Sequence, residues 1–163
     1  MKQEAIMKIN IGLDENQRKG VVEILNQRLA DEILLYIKTR NYHWNVEGPD
    51  FSETHKFFEA QYEQLDEIMD DVAERARSIG GRAAGSMQQY LQLTQLAEDK
   101  GNTTGEKAMI GNLLNDHEAI IRKLRENVDV VGEKFRDVGT QDFLTGVMEE
   151  HEKMAWMLRS YLG

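Results

Sequence analysis

Residues 41–50 read NYHWNVEGPD and include Pro49, the only proline in the chain of 163 residues. The Gly48-Pro49 pair predicts the end of a helix, because proline donates no backbone hydrogen bond and disfavours a helical residue before it. With no other proline to interrupt them, very long helices can precede and follow this turn. The turn therefore indicates two long helices that are joined by a short loop.

The helix before this turn and the helix after it have recognisable ends. The first is predicted to begin after Asp14, with Gln17 as its capping-box partner, and to end near Trp44. The second is predicted to open at residue 50 or 52 and to stop at Gly80-Gly81, since glycine favours a helix C-terminus. Apolar residues recur at helical spacing along both segments.

Two further long segments show the same spacing, one from about Thr104 and one after Thr140, and a short helix is predicted over residues 86–93. Four long helices in one small domain are typical of a four-helix bundle. We expect residues 15–163 to form this domain and residues 1–14 to form a flexible leader. The apolar stripe predicted for the first long helix consists of Val22, Leu25, Leu29, Ile33 and Ile37. The one predicted for the last long helix consists of Phe143, Val147, Met154, Trp156, Met157 and Leu158.

Composition excludes several classes of protein and of site. The chain has no cysteine, so disulfides and thiolate metal sites are impossible. Its first residues lack the apolar run of a signal peptide, and no stretch approaches the roughly 20 apolar residues of a membrane span. These features predict a cytoplasmic protein with no membrane partner.

The formal net charge of −9 bears on possible partners. A protein that binds DNA through its general surface is expected to be basic, because neutralised phosphates supply most of the non-specific affinity. An excess of carboxylates instead repels nucleic acid and attracts cations. The charge equally fits an ordinary acidic soluble protein, and this alternative stays open.

Candidate metal ligands cluster on both sides of the turn. His43 and His55 flank it, so the turn can bring them together, and Glu59 follows His55 by one helical turn. Asp70 and Glu74 are also one turn apart and share a helix face. Carboxylates with imidazole form a hard, oxygen-rich set that suits iron or manganese better than copper. Alternatively, these acids belong to an ordinary solvated helix face.

The distance along the second helix indicates that one chain cannot complete such a site. His55 and Asp70 are fifteen residues apart, which is about 22 Å on a straight helix. Two copies with antiparallel second helices, related by a two-fold axis, would bring the imidazoles of one to the carboxylates of the other. A di-iron site within one chain is disfavoured, since no glutamate stands three residues before a histidine.

The sequence resembles the Dps family, the mini-ferritins named as DNA-binding proteins from starved cells. The resemblance covers nearly everything from about residue 15 onward. The matching segments are residues 41–49, Thr54-His55, the run from Asp70 to Arg75, Gly80-Gly81 and the ending from Trp156 to Gly163. It implies a ferritin-like four-helix bundle that assembles into a hollow shell of twelve subunits.

The resemblance also implies an activity, in which Fe(II) is oxidised at two-fold interfaces, preferably by hydrogen peroxide, and ferric mineral is stored in the shell. Asp70 and Glu74 of one subunit and His43 of another would bind iron, while His55 would hold a second, weaker iron. Glu59 stands where the family often has aspartate, so its role as a ligand is open. No organic cofactor is expected.

Three further features follow from the resemblance. Trp44 is either a trap for oxidising radicals or an interface aromatic. Asp137 and Asp142 lie where the family lines an iron-entry pore, although acids at a helix N-terminus also serve the helix dipole. DNA binding is disfavoured because the chain lacks a lysine-rich tail, yet a nucleoid-binding role stays as the alternative. The roles of His117 and His151 are left open by the sequence.

Overall fold

The computed structural model describes residues 8–163, and within this range it contains five α-helices and no strand. The four long helices are α1 (Glu15–Asn45), α2 (Phe51–Ser78), α4 (Glu106–Glu133) and α5 (Val138–Leu162). The short helix α3 (Met87–Leu93) lies in the connection between α2 and α4. The predicted four-helix bundle with a short extra helix is confirmed. Of the predicted leader, residues 1–7 lie outside the described range.

Local sequence signals account for the ends of α1 and α2. Asp14 and Gln17 form the predicted capping box, in which each side chain accepts from the other residue's backbone N–H. The end of α2 is a Schellman motif, since Gly81 N–H donates to the Ala76 carbonyl and Gly80 N–H to that of Arg77. Gly80 has a φ of 87°, a conformation that favours glycine.

The starts of α4 and α5 differ from the prediction by about two residues. Helix α4 begins after Gly105, whose φ of 91° interrupts the helical conformation before Glu106. Helix α5 begins at Val138, because the Asp137 side chain accepts from the backbone N–H of Thr140 and caps the helix earlier than expected. At the start of α2, by contrast, the Asp50 side chain makes no capping hydrogen bond.

The bundle is built from two helix pairs, α1 with α2 and α4 with α5, while α3 packs against α1. Its core contains fully buried side chains from all four long helices. These include Leu25, Leu35, Phe58, Leu65, Leu113, Leu124 and Leu144. Burial of this apolar surface is the main stabilising contribution, at roughly 25 cal/mol per Å² removed from water.

Three residues of the predicted apolar stripes lie outside this core. Ile37 is 50% exposed, Trp156 is 60% exposed and Met157 is 39% exposed. Membership of an apolar stripe therefore does not place these three residues in the core of the single chain, because they lie beside the side of the helix that is buried. No described helix combines the length and the apolar composition that a membrane crossing requires.

Candidate metal centre

The turn between α1 and α2 brings His43 and His55 into direct contact. Their rings stack with centroids 3.8 Å apart and planes inclined by 21°. Each ring also bonds to the other residue's backbone, with His43 Nδ1 2.8 Å from the His55 carbonyl oxygen and His55 Nδ1 2.7 Å from that of His43. The His43 carbonyl lies in the last turn of α1, where helical carbonyls lack partners within the helix.

These reciprocal hydrogen bonds fix the tautomer of both rings. A carbonyl oxygen only accepts, so each Nδ1 must carry the proton and donate it. In a neutral imidazole the lone pair then lies on Nε2, the atom that can bind a metal. An N–H group donated to a backbone carbonyl is the usual way in which metal-binding histidines are oriented. The hairpin thus places two neighbouring imidazoles in the tautomer that metal binding through Nε2 requires.

Asp70 and Glu74 lie further along α2 and are both exposed. The structure of one chain does not bring them to the histidines, which sit at the opposite end of the helix. Within residues 8–163, no three histidine or carboxylate side chains are close enough together to hold one metal ion. The predicted metal ligands therefore occur as two separate half-sets on the same helix hairpin.

Comparison with known proteins adds to this geometry. A model of the ferritin-like domain matches residues 22–163. The DNA protection during starvation protein 2 of Bacillus anthracis is 35% identical over 144 residues, which cover 88% of this chain and 97% of that protein. A low temperature-induced protein of Nostoc sp. is 52% identical over 155 residues, covering 95% of this chain and 87% of the relative.

A solved structure shows the same fold. The Dps protein of Vibrio cholerae, described as a member of a broad superfamily of ferritin-like diiron-carboxylate proteins, matches with a TM-score of 0.89. The two are 29% identical, and the match covers 99% of this chain and 100% of the other. This chain belongs to the Dps family. The resemblance seen in the sequence is thereby confirmed.

In this Dps chain, Glu59 lies next to the histidine pair but has a partner of its own. Its Oε1 accepts a hydrogen bond of 3.3 Å from the Tyr62 hydroxyl. The Tyr62 ring meets His43 edge-on, with centroids 5.2 Å apart. Desolvation raises the pKa of Tyr62, and the negative charge of Glu59 raises it further. Glu59 is thus positioned by an aromatic side chain that also supports the imidazole.

A cation–aromatic cluster beside the histidines was not found from the sequence. The Arg40 guanidinium lies 4.3 Å from the Tyr62 ring centroid, 5.4 Å from that of Trp44 and 5.5 Å from that of Tyr36. Trp44 itself is 63% exposed. The spacing Tyr36, Arg40, Trp44, with four residues per step, was a usable signal, since such residues share a helix face.

The two predicted pore residues have different surroundings. Asp137 is buried, caps α5 and lies 3.3 Å from the Arg75 guanidinium of α2. Its carboxylate therefore serves the helix terminus, the alternative that the sequence left open. Asp142 is exposed and lines a groove with other acidic residues, among them Glu67 and Asp71.

Proposed function

We propose that this chain is a ferroxidase and iron-storage subunit of a homo-oligomeric cage, a dodecamer as the family resemblance implies. It oxidises Fe(II) with hydrogen peroxide at sites shared by two copies and stores the ferric product, which protects against oxidative stress. The observation that carries this proposal is the histidine pair, whose Nδ1 hydrogen bonds put the metal-binding lone pair of each neutral ring on Nε2. Within residues 8–163 the two histidines have no carboxylates close enough to complete a metal site, although α2 exposes the predicted ligands Asp70 and Glu74.

An apolar face beside the carboxylates supports pairing of two copies. Ile37, Met87 and Leu91 are each at least half exposed and line one groove between α1 and α3. Ile33 and Tyr90 line both this groove and a neighbouring one that contains Asp70. A monomer rarely leaves such a contiguous patch in water. A second copy that covers it would place its own hairpin close to Asp70.

In the paired state, Fe(II) is the substrate and binds between side chains of both copies. His43 of one copy and Asp70 with Glu74 of the other supply the nitrogen and oxygen ligands of the stronger site, and His55 and Glu59 those of the weaker one. Two Fe(II) ions each lose one electron, and hydrogen peroxide takes both electrons and two protons to form two water molecules. The protein contributes position and charge, while the metal ions carry the electrons.

Access of iron and binding of DNA are secondary parts of the proposal. The exposed Asp142 would line the entry pore, where repeated carboxylates concentrate Fe(II). The relatives named for DNA protection favour a nucleoid-binding role as the second candidate. The net charge of −9 weighs against it as the main role, because phosphates are repelled by an acidic surface.

The test is the initial rate of iron oxidation after peroxide is added to anaerobic, Fe(II)-loaded protein. For the double variant Asp70→Ala/Glu74→Ala we expect a fall on the order of 10²-fold, the upper range for loss of metal-site groups. The matched control is Asp129→Ala/Glu133→Ala, which removes an exposed pair of the same residues at the same spacing from α4. Wild-type rates in the first variant would refute the site.

A further inference from the structure

A chain of three hydrogen-bonded polar side chains crosses the bundle core and shares no residue with the candidate metal centre. His117 of α4, His151 of α5 and Glu32 of α1 are all fully buried. The two Nδ1 atoms of His117 and His151 are 2.9 Å apart, and His151 Nε2 is 2.9 Å from Glu32 Oε1. This triad, Glu32–His151–His117, therefore links three of the four long helices through groups that water does not reach.

The positions of the protons follow from the hydrogen bonds. With Glu32 ionised, His151 must donate its Nε2–H to the carboxylate, which leaves Nδ1 of a neutral His151 as an acceptor. His117 then donates its own Nδ1–H to that atom. In this state every N–H group of the triad has an acceptor, and the one remaining basic nitrogen is Nε2 of His117.

Adding a proton to either His117 or His151 is unfavourable. If it binds His117 directly, it creates an N–H group at Nε2. If it enters at His151, that ring donates to His117 Nδ1, and the His117 proton moves to Nε2. Among the described residues, His117 Nε2 has no hydrogen-bond partner. A buried donor without an acceptor costs about 1–3 kcal/mol, and more when it is charged.

The charged groups around the triad do not remove this cost. On α1, Arg28 is paired with Asp31 at 3.1 Å, and its charge also interacts with Glu32 of the triad and, more weakly, with Glu126 of α4. None of the residues that α2 buries is titratable, and α3 has no buried residue. On α5, His151 is the buried titratable group. Burial, and then the neighbouring His151, lower the pKa of His117 well below its usual value.

We propose that Glu32, His151 and His117 form an acid-sensitive latch between α1, α5 and α4, which is closed while His117 Nε2 is unprotonated and opens when that atom gains a proton. In the open state the α4–α5 pair loosens from α1, so that water reaches the imidazole. The device depends on core packing and does not require iron chemistry at the hairpin.

The direction of the pH dependence follows from the depressed pKa of His117 in the folded chain. The open or unfolded protein takes up the proton near pH 6.5, whereas the closed protein does not. The latch is therefore fully effective above pH 6.5 and weakens as the pH falls below it. The opening constant should rise about tenfold per pH unit, the factor for one linked proton.

Hydrogen exchange of the assembled protein, corrected for the intrinsic pH effect, tests the latch between pH 7.5 and 5. We expect opening of the α4 and α5 amides to increase about tenfold per pH unit below 6.5 in the wild type. His117→Leu should remove most of this dependence, and His117→Gln provides a second variant if the first folds poorly. An unchanged slope in a folded variant would overturn the proposal.

Solid-state NMR of protein with labelled histidine gives an independent readout at pH 7.5. The latch requires that His117 carry its proton on Nδ1 and none on Nε2. A protonated Nε2 at this pH would contradict it. Zn(II) binding gives a further outcome that would contradict the latch. If Zn(II) stays bound to Asp70→Ala/Glu74→Ala in the presence of a chelator, and is lost when His117→Leu is added, the His117–His151 pair holds a metal ion rather than a proton.

Discussion

The chain holds two histidine pairs that use the same side chain in opposite ways. At the hairpin, His43 and His55 each donate Nδ1–H to a backbone carbonyl, so that the lone pair of each neutral ring lies on Nε2. In the core, His117 and His151 bond to each other, and His151 also bonds to Glu32. The hairpin pair keeps both Nε2 lone pairs for an outside partner, whereas the core pair bonds within the bundle and, among the described residues, leaves only His117 Nε2 without a partner.

The difference shows that the partner of a histidine decides its chemistry more than its burial does. His43 is only 8% exposed and is nearly as buried as the core pair. A backbone carbonyl fixes which nitrogen carries the proton but leaves the other nitrogen available. In the core, His151 uses both of its nitrogens, one with the His117 imidazole and one with the Glu32 carboxylate. The comparison predicts that mutations at the two pairs affect different properties.

The largest expected effect is on stability, from His151→Leu. This variant leaves the Glu32 carboxylate fully buried without its partner, and we expect a loss of about 3–5 kcal/mol in the free energy of unfolding. Denaturation at fixed protein concentration measures it. The control Glu32→Leu/His151→Leu should recover most of the loss, because it removes the uncompensated carboxylate together with its hydrogen-bond donor.

A smaller effect, in binding, is expected from His43→Leu. The variant loses the hydrogen bond from His43 Nδ1 to the His55 carbonyl, which costs about 1 kcal/mol of stability, and it removes the nitrogen ligand proposed for the stronger iron site. We expect Fe(II) affinity to fall about 10–100-fold in anaerobic titration. The opposite result would contradict the distinction between the two pairs: a His43→Leu chain that is largely unfolded, but whose folded fraction binds Fe(II) with wild-type affinity.

Local features of the fold were predictable from sequence, and contacts between distant residues were not. The capping box at Asp14 and the glycine stop at Gly80 were found correctly because both depend on a few adjacent residues. The role of Asp137 was left open, since its partner Arg75 is 62 residues away in sequence. The exposure of Ile37 was missed because helical spacing alone does not say which stripe faces the core.

The candidate site was predictable in its residue types and in the separation of its two halves. The short turn pointed to His43 and His55, helical spacing pointed to Asp70 and Glu74, and helix length indicated that one chain keeps the two sets apart. The stacking of the imidazoles and the tautomers were beyond the sequence, because they depend on the shape of the turn. The core triad was hidden for a related reason, since Glu32, His117 and His151 come from three different helices.

Mixed cages test most directly whether the two half-sets meet across a subunit interface. Subunits with His43→Ala/His55→Ala are co-assembled in equal amounts with subunits that carry Asp70→Ala/Glu74→Ala, and peroxide-driven iron oxidation is measured. Each pure variant should be inactive. Random pairing should restore about a quarter of the wild-type rate, because half of the two-fold pairs are mixed and each mixed pair has one intact site of two. No recovery in mixed cages of normal size would contradict a shared site.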